Sequence, residues 1–450
     1  MSKRIGTLVA VGLVVGVASA CSGGSSGGSG GSSTIKVAYQ KYGSFTQMDD
    51  HMRSVKAEYE KAHPGVKVQL VPIQAQEADY YTKLALMQRS ASTAPDVMYE
   101  DTFQVKSDVA AGYLAPLDTY LAKWSDWSQF YDNAKQAGLG DDGKTYGVSM
   151  GTDTRALWYN KELFAKAGLQ VPWKPTSWAD VLTAAKTIKA KLPGVVPINV
   201  YSGKAQGEAA TMQGFEMLLY GTKNTLYDAS SKKWQGGSQG FKDALGFVGN
   251  VYQQGLGPTP EQALDKNIGT TISNEWLPQG KLAIDLDGSW QSGTWLTSGS
   301  APWPKWNDVL GQAPMPTQDG AAPGSTSMSG GWTLAMGSKS KNQQAAWDFI
   351  ALALSKSNSM AYDIAASQIA VRKDVSTDPA YDKANPSFAF FSSLVSTTHF
   401  RPATADYPKI SNDITVAMEA VMTGQQTPEQ AAAGYDTALE GIVSAANVTK

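Results

Sequence analysis

The chain has 450 residues with 38 basic and 40 acidic side chains, a formal net charge of −2, and a charged fraction of only 17%. A near-neutral chain presents no basic field for nucleic acid, and three scattered histidines (His51, His63, His399) with a single cysteine give neither metal-ligand spacing nor a disulfide. The length exceeds one ordinary hydrophobic core, so two or three domains are expected.

The chain opens Met1-Ser2-Lys3-Arg4, continues uncharged from Ile5 to Ala20, and reaches Ala18-Ser19-Ala20 just before Cys21. This is the n-region, h-region and small-residue cleavage site of a secretory signal over 1–20, too short and glycine-interrupted for a membrane span. The junction resembles a lipobox, with Ala18 where that motif more often has Leu. The resemblance implies a lipid on Cys21 and anchoring to the cell membrane from outside. Ser22 to Ser33 are Ser and Gly alone, so 21–33 reads as a lipidated cysteine and a flexible tether of roughly 17–21 Å. A tether of this kind favours a Gram-positive surface over a periplasm.

Beyond the tether Ile35 to Tyr39 alternates as a strand, and Gln47 to Ala62 follows with Met48, Val55 and Tyr59 at helical spacing, stopped by Pro64-Gly65. Val66, Val68 and Leu70 alternate again, Tyr80 to Gln88 reads as helix, and Ala94 to Tyr99 as a buried strand. A βαβ opening implies a parallel sheet and an α/β fold. In such sheets ligands sit beyond the carboxyl ends of strands, which brings forward Tyr42, Phe45, Gln47, Glu100 and Asp101, each of which has helix capping as its other reading. Aromatic rings beside glycine in expected loops, Trp276, Trp290, Trp295, Trp303, Trp306 and Trp332, offer flat apolar faces.

Asp142-Gly143 makes a hairpin turn, and the stretch around it lacks the alternating acids of a calcium loop. From there Gly143-Lys144-Thr145-Tyr146-Gly147-Val148, Leu157-Trp158-Tyr159-Asn160-Lys161-Glu162-Leu163-Phe164 and Pro175-Thr176-Ser177-Trp178 follow in order. With Pro95-Asp96-Val97, Gly280 to Ile284, Gly288-Ser289-Trp290, Gly330-Gly331-Trp332 and Arg401-Pro402, the chain from Ile35 onward closely resembles extracellular solute-binding proteins of carbohydrate ABC transporters, of the maltose/trehalose-binding kind.

The resemblance implies a two-lobe, periplasmic-binding-protein-like (type II) α/β fold with a hinge and an interlobe ligand cleft. Crossings are expected near Met150 to Asp153, Ala313 to Pro316 and Ser355. They give lobe 1 as 34–150 plus 315–355 and lobe 2 as 151–314 plus 356–450. It further implies a monomeric, non-enzymatic receptor without cofactor or metal, capturing a di- or oligosaccharide and passing it to the transmembrane subunits of an ABC permease. Sugars need aromatic platforms with carboxylate, amide and guanidinium groups at the rim. Trp332 and Trp290 fall where relatives place stacking rings. Asp153, Asp101, Arg401, Gln47, Phe45, Glu208 and Trp295 complete the expected ligand set. Arg401 has an interlobe salt bridge as its alternative role, and Glu208 a helix cap. Where some disaccharide binders have Arg near the second helix, this chain has Tyr80-Tyr81, so the sugar does not carry over.

Two rivals remain. Asp285 and Asp287, two apart on an expected strand, fit the paired carboxylates of a surface glycoside hydrolase. A binder of peptides or polyols on the same scaffold is the other. Gly236 to Gly240 matches G-x-S-x-G but lacks a preceding apolar strand, and Ser238 is better placed to begin the helix Phe241 to Tyr252.

Overall fold

The computed structural model describes residues 33–43 and 45–450. The leader, Cys21 and the tether up to residue 32 lie outside them, while Ser33, expected in the tether, already opens the first strand. In chain order the strands are β1 (Ser33–Lys41), β2 (Val66–Gln74), β3 (Val97–Asp101), β4 (Leu114–Ala115), β5 (Gly147–Ser149), β6 (Arg155–Asn160), β7 (Val196–Asn199), β8 (Tyr227–Asp228), β9 (Lys233–Gln235), β10 (Leu282–Gly288), β11 (Leu310–Ala313), β12 (Met315–Pro316), β13 (Ser325–Ser329), β14 (Trp332–Gly337), β15 (Thr398–Phe400) and β16 (Val448–Thr449); the first two helices are α1 (Gln47–Ala62) and α2 (Glu77–Gln88).

The first lobe carries the sheet β2-β1-β3-β14-β4, with β5 also on β14. β1 runs parallel to β2 and β3, as the βαβ opening requires, and β14 returns antiparallel to β3. Met48, Met52, Val55 and Tyr59 of α1 form one apolar stripe at spacings of four and three residues, and it packs on Val37, Tyr39 and Tyr99 in the core of this lobe.

The second lobe carries β11-β6-β10-β7, with β10 parallel to β7 and antiparallel to β6. β6 is buried on both faces: Leu157 and Tyr159 enter one core, Ala156 and Trp158 the other, by the two-residue period of a strand. Around Trp158 lie Trp276, Trp295 and Trp306, with Trp303 half-buried beside them. Four of the six loop tryptophans expected near a ligand are thus lobe core, because large rings in Gly-containing turns were free to fold back on the sheet.

Three chain segments join the lobes, and they meet at Thr152. Its backbone exchanges hydrogen bonds with Ile369 at 2.9 and 2.7 Å, and its hydroxyl donates to the Gly330 carbonyl at 2.9 Å. The first of these segments is the stretch around Thr152 itself. The second does not lie at Ala313 to Pro316: β12 and β13 stay with the second lobe, Met315 and Met328 entering its core, and the chain returns only at Gly330-Gly331. The third lies beyond Ser355, since the helix Lys356–Ala366 packs on the first lobe through Tyr362 and Ala366, and Arg372 still pairs there with Asp126 at 3.0 Å. Proline and serine punctuate loops as readily as hinges, which is why they misplace these two boundaries.

Candidate functional site

Strand direction and register bring the site residues together. β1 and β3 are parallel, so their carboxyl ends share an edge, and antiparallel β14 begins there with Trp332 opposite Asp101. In the second lobe β7 and β10 likewise end on one edge, and β6 begins there with Arg155 opposite Gly288. The two edges face each other across a cleft of about 230 Å³.

Seven of the nine expected ligand residues line this cleft: Phe45, Asp101 and Trp332 from the first lobe, Glu208, Trp290 and Arg401 from the second, and Asp153 at the crossing. Two do not. Trp295 is 1% exposed within the tryptophan core, its indole N–H donating to the Ser273 carbonyl at 2.8 Å. Gln47 is buried at the start of α1, and its amide donates across the lobes to the Gly293 carbonyl at 3.3 Å.

Trp332 stacks on Tyr99 with ring centres 4.2 Å apart and planes within 5°, and Tyr81 lies at 6.0 Å. Gly331, at φ +133°, brings the chain so close to the first crossing that a Cβ would stand 2.6 Å from the Gly151 carbonyl oxygen, a position only glycine fills without strain. Trp290 lies on Gly288, where a Cβ would meet its ring at 2.0 Å, and the Arg155 guanidinium sits 4.7 Å from the ring centre. The Gly288-Ser289-Trp290 motif therefore has a steric origin.

The charged groups are largely engaged with one another. Asp153 accepts from Arg155 and from the Gly330 N–H at 2.9 Å, tying the cleft wall to the segment that joins the lobes. Arg401, 7% exposed, donates to Asp101 and Thr102 of the first lobe and to Glu208 of its own at 3.1 Å. Asp101 also accepts from the Phe103 N–H at 3.2 Å, so its turn-capping and cleft-lining roles coexist on one carboxylate. Glu208 makes no helix cap; it accepts instead from Arg401, Ser411 and the Tyr407 hydroxyl. Burial, then the carboxylates of Asp101 and Glu208, push the Glu77 carboxyl up to about 8. Burial, then Glu208, does the same to Glu216, also to about 8.

Asp285 and Asp287 are 0% and 2% exposed; Asp287 belongs to the cleft lining and Asp285 lies behind it. Asn199 donates to Asp285 at 2.9 Å, while Tyr201, the Gly288 N–H and Gln291 donate to Asp287 at 2.9, 2.7 and 2.5 Å. Burial pushes Asp287 up to about 6 and Asp285 well above the carboxylate range, the latter also through Asp287. With Asp285 shut away from the cleft, these two do not form the pair of carboxyls that flanks a scissile bond. Ser238 is the cap of the helix Gln239–Gln253, accepting from the Phe241 N–H. Among the described residues no group of His, Cys, Asp and Glu is placed to hold a metal ion, and no helix is long and apolar enough to cross a membrane.

Arg155, Glu77, Tyr81 and Tyr99 escape the sequence reading. Arg155 carried a signal, since it opens the strand two residues after Asp153 at the first crossing. Tyr81 carried one through the resemblance alone, as part of the Tyr80-Tyr81 pair that stands where some relatives have Arg, and Glu77 carried none, because α2 has no strand end or glycine to mark its cleft side.

The family described as bacterial extracellular solute-binding protein matches residues 42–360. The galactooligosaccharide-binding protein of Bacillus subtilis is 23% identical over 387 residues, 83% of this chain and 82% of that protein. Among solved structures, the GacH receptor of Streptomyces glaucescens, determined unliganded and with acarbose, is 26% identical with a TM-score of 0.77 over 92% of this chain and 99% of that one. Maltose-bound MalE3 of T. maritima shares the fold at a TM-score of 0.78 and 20% identity, over 91% and 100% of the two chains.

Proposed function

The chain belongs to the bacterial extracellular solute-binding protein family, and from that premise we propose that it captures a di- or oligosaccharide between its lobes and delivers it to the permease of an ABC importer. The observation that carries this reading is the cleft itself. Two tryptophan rings on opposite strand edges, Trp332 and Trp290, face a space rimmed by Asp101, Asp153, Glu208 and two guanidinium groups. Apolar C–H faces of a sugar stack on such rings, and its hydroxyls donate to the carboxylates, ionised acceptors forming the stronger bonds. A wrong epimer leaves buried polar groups unpaired, which supplies selectivity. Sugar touching both lobes favours the closed form only by its higher affinity for that form. In this reading the receptor is a monomer held at the outer face of the membrane by a lipid on Cys21.

Tryptophan fluorescence of the purified protein, titrated with maltose, trehalose, cellobiose, xylobiose, longer oligomers and a peptide mixture, tests the proposal. A saturable change with one sugar, abolished by Trp290→Ala or Trp332→Ala, supports it, and return of that sugar unhydrolysed after long incubation agrees with a receptor. Silence with every sugar and a response to peptides overturns it.

A further inference from the structure

The lobes meet at a contact whose ring, Phe103, does not line the cleft. Asp101-Thr102-Phe103, the turn leaving β3 of the first lobe, grips Arg401 of the second. Asp101 and Thr102 accept from its guanidinium, which in turn lies 4.4 Å from the centre of the Phe103 ring. Phe103 is 4% exposed, and although its chain position belongs to the first lobe, its ring packs in the core of the second, 5.6 Å from Tyr407 at 69°. Tyr81 of α2 stands edge-on to it at 5.2 Å and 90°. Tyr81 packs against the same second-lobe core but is only partly buried, and polar contacts across the lobes include Gln47 to the Gly293 carbonyl, Gln76 to Asn267 at 3.4 Å and the exposed pair Lys266 and Asp79 at 3.3 Å.

We infer that Phe103 is an interlobe latch, a positioning residue that holds the closed form together without touching ligand and so sets the affinity for every ligand of the cleft by the same factor. The chemistry is direct. Opening the lobes withdraws a phenyl ring from an apolar seat into water and uncovers the guanidinium face above it, whereas the other cross-lobe bonds exchange readily for bonds to water. A receptor whose closed form is already well populated binds with little loss of affinity to the closing step, since the apparent dissociation constant is the intrinsic one divided by the competent fraction. Because Phe103 sits outside the cleft wall, its loss changes that fraction and leaves the ligand contacts intact.

Small-angle scattering of the ligand-free protein, wild type against Phe103→Ala, tests the latch without any knowledge of the sugar. The expected result is a larger radius of gyration for the variant, reversed by a saturating sugar, with Phe103→Leu in between because it keeps apolar volume and loses the ring beneath Arg401. A far-UV spectrum and cooperative melt matching wild type establish that the variant folds. In titrations, a drop in competent fraction from near one to a tenth weakens all bound sugars about tenfold alike. Ligand-free scattering identical to wild type overturns the latch, as does a loss confined to one sugar, which makes Phe103 a ligand contact. Failure of every sugar to bind wild type defeats the sugar reading and leaves the scattering result to decide the latch.

Discussion

Replacing Gly288 with alanine separates a tryptophan that is a ligand platform from one that is merely nearby. A Cβ at this position stands 2.0, 2.2 and 2.4 Å from three atoms of the Trp290 ring. Restoring an ordinary carbon contact of about 3.5–4.0 Å moves the ring by about 1.5–2 Å. The ring then leaves the Arg155 guanidinium, a cation–π contact of about 0.5–2 kcal/mol, and leaves its stacking position, which contributes about 0.5–1.5 kcal/mol. The contact with Arg155 is lost from free and bound protein alike, so the loss that falls on binding is the stacking, about 0.5–1.5 kcal/mol, or about 2- to 13-fold in the dissociation constant for the sugar. Trp290 is only half-buried, so the ring has room to move and the melting temperature falls little. Gly246→Ala, within the helix Gln239–Gln253 where nothing lies within 4 Å, is the control; it stabilises by about 0.4–1 kcal/mol and leaves binding unchanged. Fluorescence or calorimetric titration of both variants is the assay. Wild-type affinity in Gly288→Ala would refute the placement of Trp290 as a platform.

Trp295→Phe loses the indole N–H that satisfies the Ser273 carbonyl; the expected cost is about 1–3 kcal/mol of stability with sugar affinity unchanged, and a selective affinity loss would return Trp295 to the site. Glu216 has its carboxyl raised to about 8 in the folded state, so its contribution to stability is fully present below the ordinary carboxylate range and is lost as pH rises towards 8. Glu216→Gln therefore gains on wild type by about 1–4 kcal/mol between pH 5 and pH 8, read by denaturant titration at each pH; parallel profiles would contradict the burial argument. Cys21→Ser moves the protein from the membrane fraction to the soluble extracellular fraction, and retention at the membrane would remove the lipid from the proposal.

Much of the first lobe was legible because its signals are local. The stripe Met48, Val55, Tyr59, the stop at Pro64-Gly65 and the alternation of β1 and β2 each lie within a few residues, and together they fix a parallel sheet and hence the edge where Phe45 and Asp101 stand. The hinge was less legible because crossings are defined by what a segment packs against. Nothing local distinguishes Met315, which enters the second core, from Met336, which enters the first. The same limit separates Trp290 from Trp295. Both follow glycines or small residues after one strand, and only the third dimension turns one ring onto Gly288 at the cleft and the other against Trp158.

The contact around Arg401 divides the work of closure between charge and ring. Bringing a guanidinium and two carboxylates out of water costs several kcal/mol per ion, returned only where the geometry is good, so these bonds contribute little net stability; Glu208 holds the guanidinium within its own lobe, and the bond to Asp101 fixes the register in which the lobes meet. Burial of one phenyl ring is worth about 1.5–3 kcal/mol, on the scale needed to change a closed fraction by tenfold or more. Asp101 joins the two functions, since the carboxylate that holds Arg401 also caps the turn presenting Phe103 and lines the cleft. A ligand that bonds to Asp101 therefore acts on the residue that positions the latch, which couples occupancy to closure through one side chain.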